Sequence, residues 1–353
     1  MRSCRVAITG LGLVSSLGSR VDEVCSALRN GQSGIVEAPQ LAEAGLRSRV
    51  YAPVRGWDET RIRRRQSLTM SQSAKYATAA ALDAINDAHL LLEAYDPERT
   101  ALVIGSAFGG INDVSQQNVL RESGKKSRAG ATGVVKLMAS GAVSNVAAVL
   151  GFQGRAYSAA SNAAPGSDCV GQGFDLIRHG LTDVAVCGAT EEDIWRQIGP
   201  SISSWHGMSE RFNDRPEASC RPYDAARDGL VLSAGSGMLV MESLDQARRR
   251  GARIYAELVA YAAAGDGSGL LRPEGRAQRF VVRQALAMVP KLAVEDLDYV
   301  NTHGTGTPLG DQVEAAVLRD LFGATVPVSS TKGLSGHALG ATGVLEIIYT
   351  LLM

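Results

Sequence analysis

Short apolar segments that end in glycine-rich turns alternate with alanine-rich segments along most of this 353-residue chain. Residues 101–104, for example, are apolar throughout, which is typical of a strand that is buried on both faces of a sheet. The alanine-rich segments between such strands have the length and spacing of helices. This alternation predicts an α/β protein, because each helix can pack on the sheet that its neighbouring strands form.

The alternation occurs twice. In the first series, strands are predicted at residues 5–9, 100–105, 155–159, 183–187 and 237–242, and helices at 71–88, 134–150 and 165–179. In the second series, strands are predicted at 254–261, 299–301 and 326–329, and helices at 278–288, 311–321 and 340–353. A repeated alternation indicates a duplicated α/β unit. We therefore expect an N-terminal half over residues 1–250 and a C-terminal half over residues 251–353.

Composition narrows the functional class. Lys plus Arg (36) balances Asp plus Glu (36), so the chain has no net charge that would attract nucleic acid or an anionic membrane. No apolar run reaches the length of a membrane span, and the first apolar segment is typical of a strand rather than of a signal peptide. The five cysteines form no close pair and no metal-type spacing. We therefore predict a reduced, cytoplasmic protein.

A local run of arginines lies at residues 61–65, where only Ile62 interrupts the positive charge. Such a run is a candidate for binding phosphate, including the phosphopantetheine of an acidic carrier protein. A solvated charged face is the alternative interpretation.

Two histidines and one lysine stand in glycine-rich loops that follow predicted strands. His303 opens the segment His303–Pro308, and His337 closes the segment Lys332–His337. Loops at strand ends commonly bind ligands. Two neutral imidazoles can donate hydrogen bonds to a developing enolate oxygen, and Lys332 can hold one of them in place. A metal site is not predicted, because lysine is a poor ligand and no cysteine or carboxylate stands at suitable spacing.

The residue at position 163 is the unusual one. It lies between a predicted strand and a predicted helix, where the unpaired N–H groups of a helix start stabilise a thiolate. The residue there is Ala163, which cannot carry an acyl group. Cys169, six residues further on, is predicted to be a core residue. The chain is therefore either a partner subunit shaped like an enzyme or an enzyme restricted to part of a reaction.

From Val6 to Met353 the chain resembles the β-ketoacyl-acyl carrier protein synthases of the synthase I/II group, in the thiolase superfamily. The motifs that carry this resemblance are Ala7–Gly12, Ser15–Gly18, Gly105–Gly110, Arg221–Asp224, Arg227–Gly229, His303–Pro308, Gly310 with Asp311 and Glu314, Thr331–Lys332, Gly336–His337 and Gly340–Ala341. The resemblance implies two pseudo-duplicated βαβαβ halves in α-β-α-β-α layers. It also implies that His303, His337 and Lys332 occupy the positions that promote decarboxylation of malonyl-carrier protein, and that Ala163 replaces the nucleophilic cysteine.

The chain departs from this family at two places. Asn162, Pro165 and Asp168 are unusual around Ala163, which indicates an evolved loss of the nucleophile. The chain also ends at Met353, before the last strands and the gating phenylalanine loop of active members, so we expect an incomplete C-terminal half. Missing strands leave a sheet edge that a partner would cover.

The resemblance therefore implies a chain-length factor, a silent subunit of type II polyketide or fatty acid synthesis. It would pair with a full-length active ketosynthase, or with a second copy of itself, and would meet an acyl carrier protein whose phosphopantetheine carries the substrate; no other cofactor is expected. Phe108 and Met138 are candidate tunnel residues, with ordinary core positions as the alternative. Two other functions remain open: a malonyl-carrier protein decarboxylase that uses His303 and His337, and a non-catalytic scaffold that binds the carrier protein.

Overall fold

The computed structural model describes residues 4–123, 132–269 and 272–353. The strands are β1 (Val6–Val14), β2 (Val36–Glu37), β3 (Val50–Tyr51), β4 (Thr100–Gly105), β5 (Arg155–Tyr157), β6 (Val184–Glu191), β7 (Gly235–Ser243), β8 (Ala256–Leu258), β9 (Val300–Asn301) and β10 (Val328–Ser329). The α-helices are α1 (Val21–Arg29), α2 (Pro39–Glu43), α3 (Arg64–Ser67), α4 (Gln72–Asp87), α5 (Ile111–Glu122), α6 (Gly133–Leu137), α7 (Gly141–Leu150), α8 (Pro165–Arg178), α9 (Trp195–Ser204), α10 (Leu244–Arg249), α11 (Arg276–Ala287), α12 (Pro308–Phe322), α13 (Lys332–Ser335) and α14 (Thr342–Leu352).

The main sheet has six strands in the order β5-β4-β6-β7-β1-β8. Strands β5, β4 and β6 run parallel, whereas β7 is antiparallel to β6 and to β1, and β8 is antiparallel to β1. Every residue of β1, β4 and β6 is buried, as expected for strands with helices on both faces. A second sheet contains the parallel pair β9 and β10.

Glycines in β1 allow helix α4 to pack closely on the sheet. A Cβ atom at Gly10 would collide with the carbonyl oxygen of Ala84, and one at Gly12 with that of Ala80. The alanine-rich face of α4 needs this short separation, because its small side chains reach only a short distance. Ser71 caps the helix by accepting a hydrogen bond from the N–H of Ala74.

Layers of helices and sheets follow one another through the molecule. Helices α4 and α7 pack on one face of the main sheet, and α8 and α14 pack on the other. Beyond α14 lies β9, whose Asn301 side chain donates a hydrogen bond of 3.1 Å to Thr350 Oγ1. Helix α12 follows, with Glu314 accepting from the backbone after β9. This order agrees with the predicted layers, although the second sheet has two strands in the described part of the chain.

Three predicted elements need correction. The single helix expected at 134–150 is wrong: α6 ends at Leu137, Met138 has extended backbone, and α7 begins at Gly141. The cause is the turn at Gly109 and Gly110, which packs directly against the backbone of Lys136 and Ala139. The strand predicted at 254–261 is shortened to β8, and the first strand is longer than predicted, since it continues to Val14. Seven of the described helices were not predicted: α1, α2, α3, α5, α9, α10 and α13.

The proposed division of the chain at residues 250 and 251 stays a prediction; β8, which follows that point, hydrogen-bonds to β1 in the main sheet. None of the helices in residues 4–123, 132–269 and 272–353 has the length and apolar composition that a membrane crossing requires.

Candidate active site

Carboxylates on α12 hold the loop that carries His303. Glu314 accepts hydrogen bonds from the N–H groups of His303 (2.8 Å) and Gly304 (2.7 Å). Asp311 accepts from the N–H groups of Thr305 (3.0 Å) and Gly306 (3.1 Å). The loop is therefore fixed by two side chains from the helix that follows it, which explains why a glycine-rich segment can place a histidine accurately.

His337 follows the short helix α13 and a positive-φ residue, Gly336 (φ 66°). Its N–H donates to the carbonyl of Val231 at 2.7 Å. Its Nδ1 lies 2.9 Å from the hydroxyl oxygen of Thr342, at the start of α14. The side chain is buried, so backbone and ring are both held by hydrogen bonds to other elements.

The side-chain rings of His303 and His337 lie next to each other. Their ring centroids are 5.4 Å apart and the rings are nearly perpendicular, at 83°. Lys332 links the two segments. Its ammonium group donates one hydrogen bond to the carbonyl oxygen of His303 and another to Glu346 Oε1, at 2.6 Å. The structure therefore brings together all three residues that the sequence predicted to act as a group.

Both imidazoles are neutral at physiological pH. Desolvation lowers the pKa of His337 and of His303, and the positive charge of Lys332 lowers both further. His303 is exposed on one side in this chain whereas His337 is buried, so solvent moderates the pKa lowering of His303. Neutral rings can donate hydrogen bonds to an oxygen that gains negative charge during a reaction.

Ala163 lies two residues before the start of α8, between β5 and that helix, as predicted. Asn162 has left-handed backbone (φ 53°), a conformation that asparagine tolerates, and Ala164 is the residue that precedes the first helical turn. The first turn of α8 packs against α14, because Gly166 contacts the backbone of Gly340 and Val344. Gly166, three residues after Ala163, therefore lies against the segment that follows His337. The side chain at position 163 is a methyl group.

Two cysteines near this helix do not replace the missing nucleophile. Cys169 is fully buried and faces the core, and desolvation raises its pKa to about 12. Cys187, at the centre of β6, is also fully buried, and burial raises its pKa well above the usual range. A thiol with a raised pKa is a poor nucleophile. The burial of Cys169 confirms its predicted core position.

Phe108 and Met138 are surface residues in this chain, with 41% and 46% of their areas exposed. The alternative that they are ordinary core residues is wrong. Their segments lie side by side, since Gly109 contacts Ala139. Two apolar side chains on neighbouring exposed turns indicate a surface that another molecule covers.

Sequence reasoning missed the buried carboxylate Glu191 at the end of β6. It accepts hydrogen bonds from the N–H groups of Ala107 (2.9 Å), Phe108 (3.3 Å) and Gly340 (3.3 Å). Burial raises its pKa to about 7 in spite of these bonds. Glu191 therefore ties the Phe108 turn to the loop after His337. The signal was present, since three consecutive acidic residues, Glu191, Glu192 and Asp193, stand at the end of an apolar strand.

The arginine run at residues 61–65 is only partly exposed. Arg63, Arg64 and Arg65 are exposed, whereas Arg61 pairs with Asp83. Within the described part of the chain, no three His, Cys, Asp or Glu side chains are grouped so that they could hold a metal ion.

Comparison with known families gives two matches that together span most of the chain. The family model for the N-terminal domain of beta-ketoacyl synthase matches residues 3–247. The model for the C-terminal domain of beta-ketoacyl synthase matches residues 255–353.

Individual relatives agree with the family models. The chain is 37% identical over 351 residues to 3-oxoacyl-[acyl-carrier-protein] synthase 1 of Haemophilus influenzae, covering 99% of this chain and 85% of that protein. It is 38% identical over 352 residues to the protein of the same name from Escherichia coli K12, covering 99% and 86%.

Solved structures show the same fold. A beta-ketoacyl synthase from Burkholderia phymatum superposes with a TM-score of 0.92 at 32% identity, covering 99% of this chain and 85% of that one. The ishigamide ketosynthase/chain length factor superposes with a TM-score of 0.89 at 27% identity, covering 99% and 86%. A type II PKS ketosynthase bound to the hexaketide, in complex with its acyl-carrier protein, gives a TM-score of 0.87 at 27% identity, covering 99% and 86%.

These matches confirm the predicted thiolase-like α/β fold. The chain therefore belongs to the β-ketoacyl synthase family.

Proposed function

We propose that this chain is a chain-length factor, a subunit that pairs with an active ketosynthase and shapes the tunnel for the growing acyl chain. The observation that carries the proposal is Ala163, two residues before α8: its methyl side chain has no atom that can form a thioester, and the first turn of the adjoining helix packs against the segment that follows His337. Cys169 is buried in the core and does not take over this task. A relative of known structure is named as a ketosynthase/chain length factor, which supports the proposal.

The surface around β5 supports a partner subunit. All three residues of β5 are exposed at the edge of the main sheet, and an exposed edge can pair with a strand from another chain. Phe108, Met138, Val119 and Val134 add exposed apolar area on α5, on α6, and on the residues just before α5 and just after α6. We propose a full-length active ketosynthase as the partner, and co-purification of the two chains distinguishes this heterodimer from a homodimer.

Changes at Phe108 and Met138 test the length-setting role. In a complex with an active ketosynthase, we expect Phe108→Ala to lengthen the product by at least one extension unit, because it removes bulk from the proposed tunnel. We expect Met138→Trp to shorten the product. Mass spectrometry of the released chains measures both effects.

Leu91→Ala is the matched control, since Leu91 is 64% exposed and lies on a remote loop. We expect this change to leave product length unaltered. An unchanged product distribution in both tunnel variants, with the complex still assembled, would show that this subunit does not set chain length.

We also propose that the exposed arginines contact the carrier protein. Carrier proteins of this class are acidic, and a cluster of positive charges steers such partners. The double variant Arg64→Glu, Arg65→Glu is expected to weaken carrier-protein binding roughly tenfold at low salt and less at high salt. Titration calorimetry at two salt concentrations measures this.

A second pair of neighbouring helical arginines provides the control. Arg248 and Arg249 are exposed at the end of α10, so Arg248→Glu, Arg249→Glu makes the same change of charge elsewhere. Equal weakening by the two double variants would mean that net charge, rather than this surface, determines binding.

The histidine pair favours a second candidate function, decarboxylation of malonyl-carrier protein. In this reaction the bond to the carboxylate carbon breaks, CO₂ leaves, and the electron pair forms an enolate on the thioester. His303 and His337 can stabilise the enolate oxygen, and a proton from solvent then gives the acetyl thioester. No thiol is needed, and the neutral rings with their Lys332 and Glu346 support are in place. Formation of acetyl-carrier protein by the isolated chain tests this candidate.

A further inference from the structure

The motif Arg221–Asp224 contains a tyrosine with an unusual backbone conformation. Tyr223 lies in the left-handed region, with a φ of 64°. This conformation is strained for a residue with a bulky side chain, and it persists only where the surrounding contacts outweigh the strain. The contacts that Tyr223 makes therefore indicate what the strain serves.

Tyr223 is hydrogen-bonded to helix α12 at both of its ends. Its N–H donates to Asp311 Oδ2 at 2.8 Å, and its hydroxyl donates to Glu314 Oε2 at 2.8 Å. Burial and the negative charge of Glu314 raise the pKa of Tyr223, so the hydroxyl keeps its proton and remains a donor. Asp311 and Glu314 are the two carboxylates that hold the His303 loop. One residue thus fixes both supports of that loop.

The ring of Tyr223 also lies against the loop itself. A Cβ atom at Gly304 would stand 3.1 Å from Cε2 of Tyr223 and 2.7 Å from Cβ of Ser330. Both distances are shorter than ordinary van der Waals contact between carbon atoms. The residue next to His303 is therefore enclosed by two side chains, and the loop has little room to shift at this point.

The same segment holds the other end of the loop. Arg227 Nη2 donates to the carbonyl oxygen of Pro308 at 2.7 Å, and the N–H of Gly229 donates to the carbonyl oxygen of Gly306 at 3.1 Å. Residues 221–229 therefore bind carbonyl groups of the loop, whereas the carboxylates of α12 bind its N–H groups.

We propose that Tyr223 is a positioning residue for His303: by fixing Glu314 and enclosing Gly304, it holds the loop in the conformation that places the His303 ring beside the His337 ring. The benefit of this placement for decarboxylation rests on the function proposed above, whereas the holding of the loop does not.

Tyr223→Phe removes the hydroxyl and keeps the ring, so it tests the hydrogen bond to Glu314. Hydrogen exchange, followed by mass spectrometry, should become roughly tenfold faster at the amides of His303 and Gly304, the usual effect of losing one hydrogen bond to a charged group. Exchange around His337 should stay unchanged. If the wild-type chain decarboxylates malonyl-carrier protein, kcat of the variant should fall roughly tenfold at an unchanged KM.

NMR titration of the histidines gives a second measurement that needs no activity. Burial and the charge of Lys332 lower the pKa of His303. A looser loop admits water to this ring, so the pKa of His303 should rise toward its usual value in Tyr223→Phe. The signal of His303 is assigned by its loss in His303→Asn.

Tyr255→Phe is the matched control, because Tyr255 is also half-buried and its hydroxyl also donates to a carboxylate, Asp87, at 2.9 Å. It should alter neither the exchange of the loop nor the pKa of His303. In a chain that already carries Glu314→Ala, Tyr223→Phe should add no further change, since it acts through Glu314.

Tyr223→Asn keeps the test decisive if Tyr223→Phe does not fold, because asparagine tolerates left-handed backbone and lacks both the ring and the phenol hydroxyl. It should loosen the loop at least as much. Unaltered exchange at His303 and Gly304 in a folded variant would overturn the proposal. A wild-type chain without decarboxylase activity would remove that function and leave the exchange and titration results to decide the role of Tyr223.

Discussion

Replacing His303 by alanine is expected to lower the rate of malonyl-carrier protein decarboxylation by about 10²–10³-fold, the usual effect of removing one donor to a developing oxyanion. The physical reason is that the enolate oxygen would keep only the donor from His337. His303 is held by backbone contacts to Glu314, and those contacts do not involve its ring. The variant should therefore fold normally, and release of CO₂ and formation of acetyl-carrier protein measure the loss.

His179→Ala is the control, since His179 is an exposed histidine at the end of α8. It should retain the wild-type rate. If the wild-type chain forms no acetyl-carrier protein, the decarboxylase hypothesis is wrong. The catalytically silent chain-length factor is then the function that stands. A His303→Ala chain as active as the wild type would show that the reaction takes place elsewhere.

Replacing Lys332 by methionine is expected to lower the free energy of unfolding by about 3–5 kcal/mol, because it leaves a buried carboxylate without its counter-charge. Lys332 is fully buried, and Glu346 is largely buried. Burial already raises the pKa of Glu346, and Lys332 opposes that rise. Without the lysine the pKa rises further, so Glu346 of the folded variant binds a proton more readily than it does unfolded. The destabilisation should thus be larger at pH 8 than at pH 5, as urea unfolding at the two pH values would show.

Lys75→Met removes a lysine from the pair with Glu59, whose side chain is 66% exposed. Because exposed pairs contribute little, this control should cost less than about 1 kcal/mol. The double variant Lys332→Met, Glu346→Leu should recover much of the lost stability, since no unpaired charge remains. A loss below 1 kcal/mol in Lys332→Met alone would contradict the assigned role of the buried pair.

The strand and helix pattern was largely predictable because buried strands and packed helices impose strong constraints on residue type. Strand β4 is apolar at each central position, and its predicted bounds are the observed ones. The break in the predicted helix at Met138 was not predictable, because its cause is a contact with the remote turn at Gly109 and Gly110. Local sequence contains no information on such a contact.

In the candidate site, too, some residues were predictable from the sequence and others were not. His303, His337 and Lys332 were identified from glycine-rich loops at strand ends, and the structure places them together. Glu191 was missed because its function is to accept backbone hydrogen bonds from two distant loops. Thr342 was missed because only the fold brings it next to a histidine ring.

Helix α14 has a consequence for the order in which this chain can fold during synthesis. Its residues Val344, Ile348 and Tyr349 are buried in the same core as β1, although β1 ends at Val14 and α14 begins only at Thr342. Until the ribosome has released residue 349, the apolar face of the main sheet that α14 covers stays open. Such a nascent chain exposes aggregation-prone surface throughout its elongation. Its yield in a cell should therefore depend on chaperones that shield this face before α14 has been synthesised.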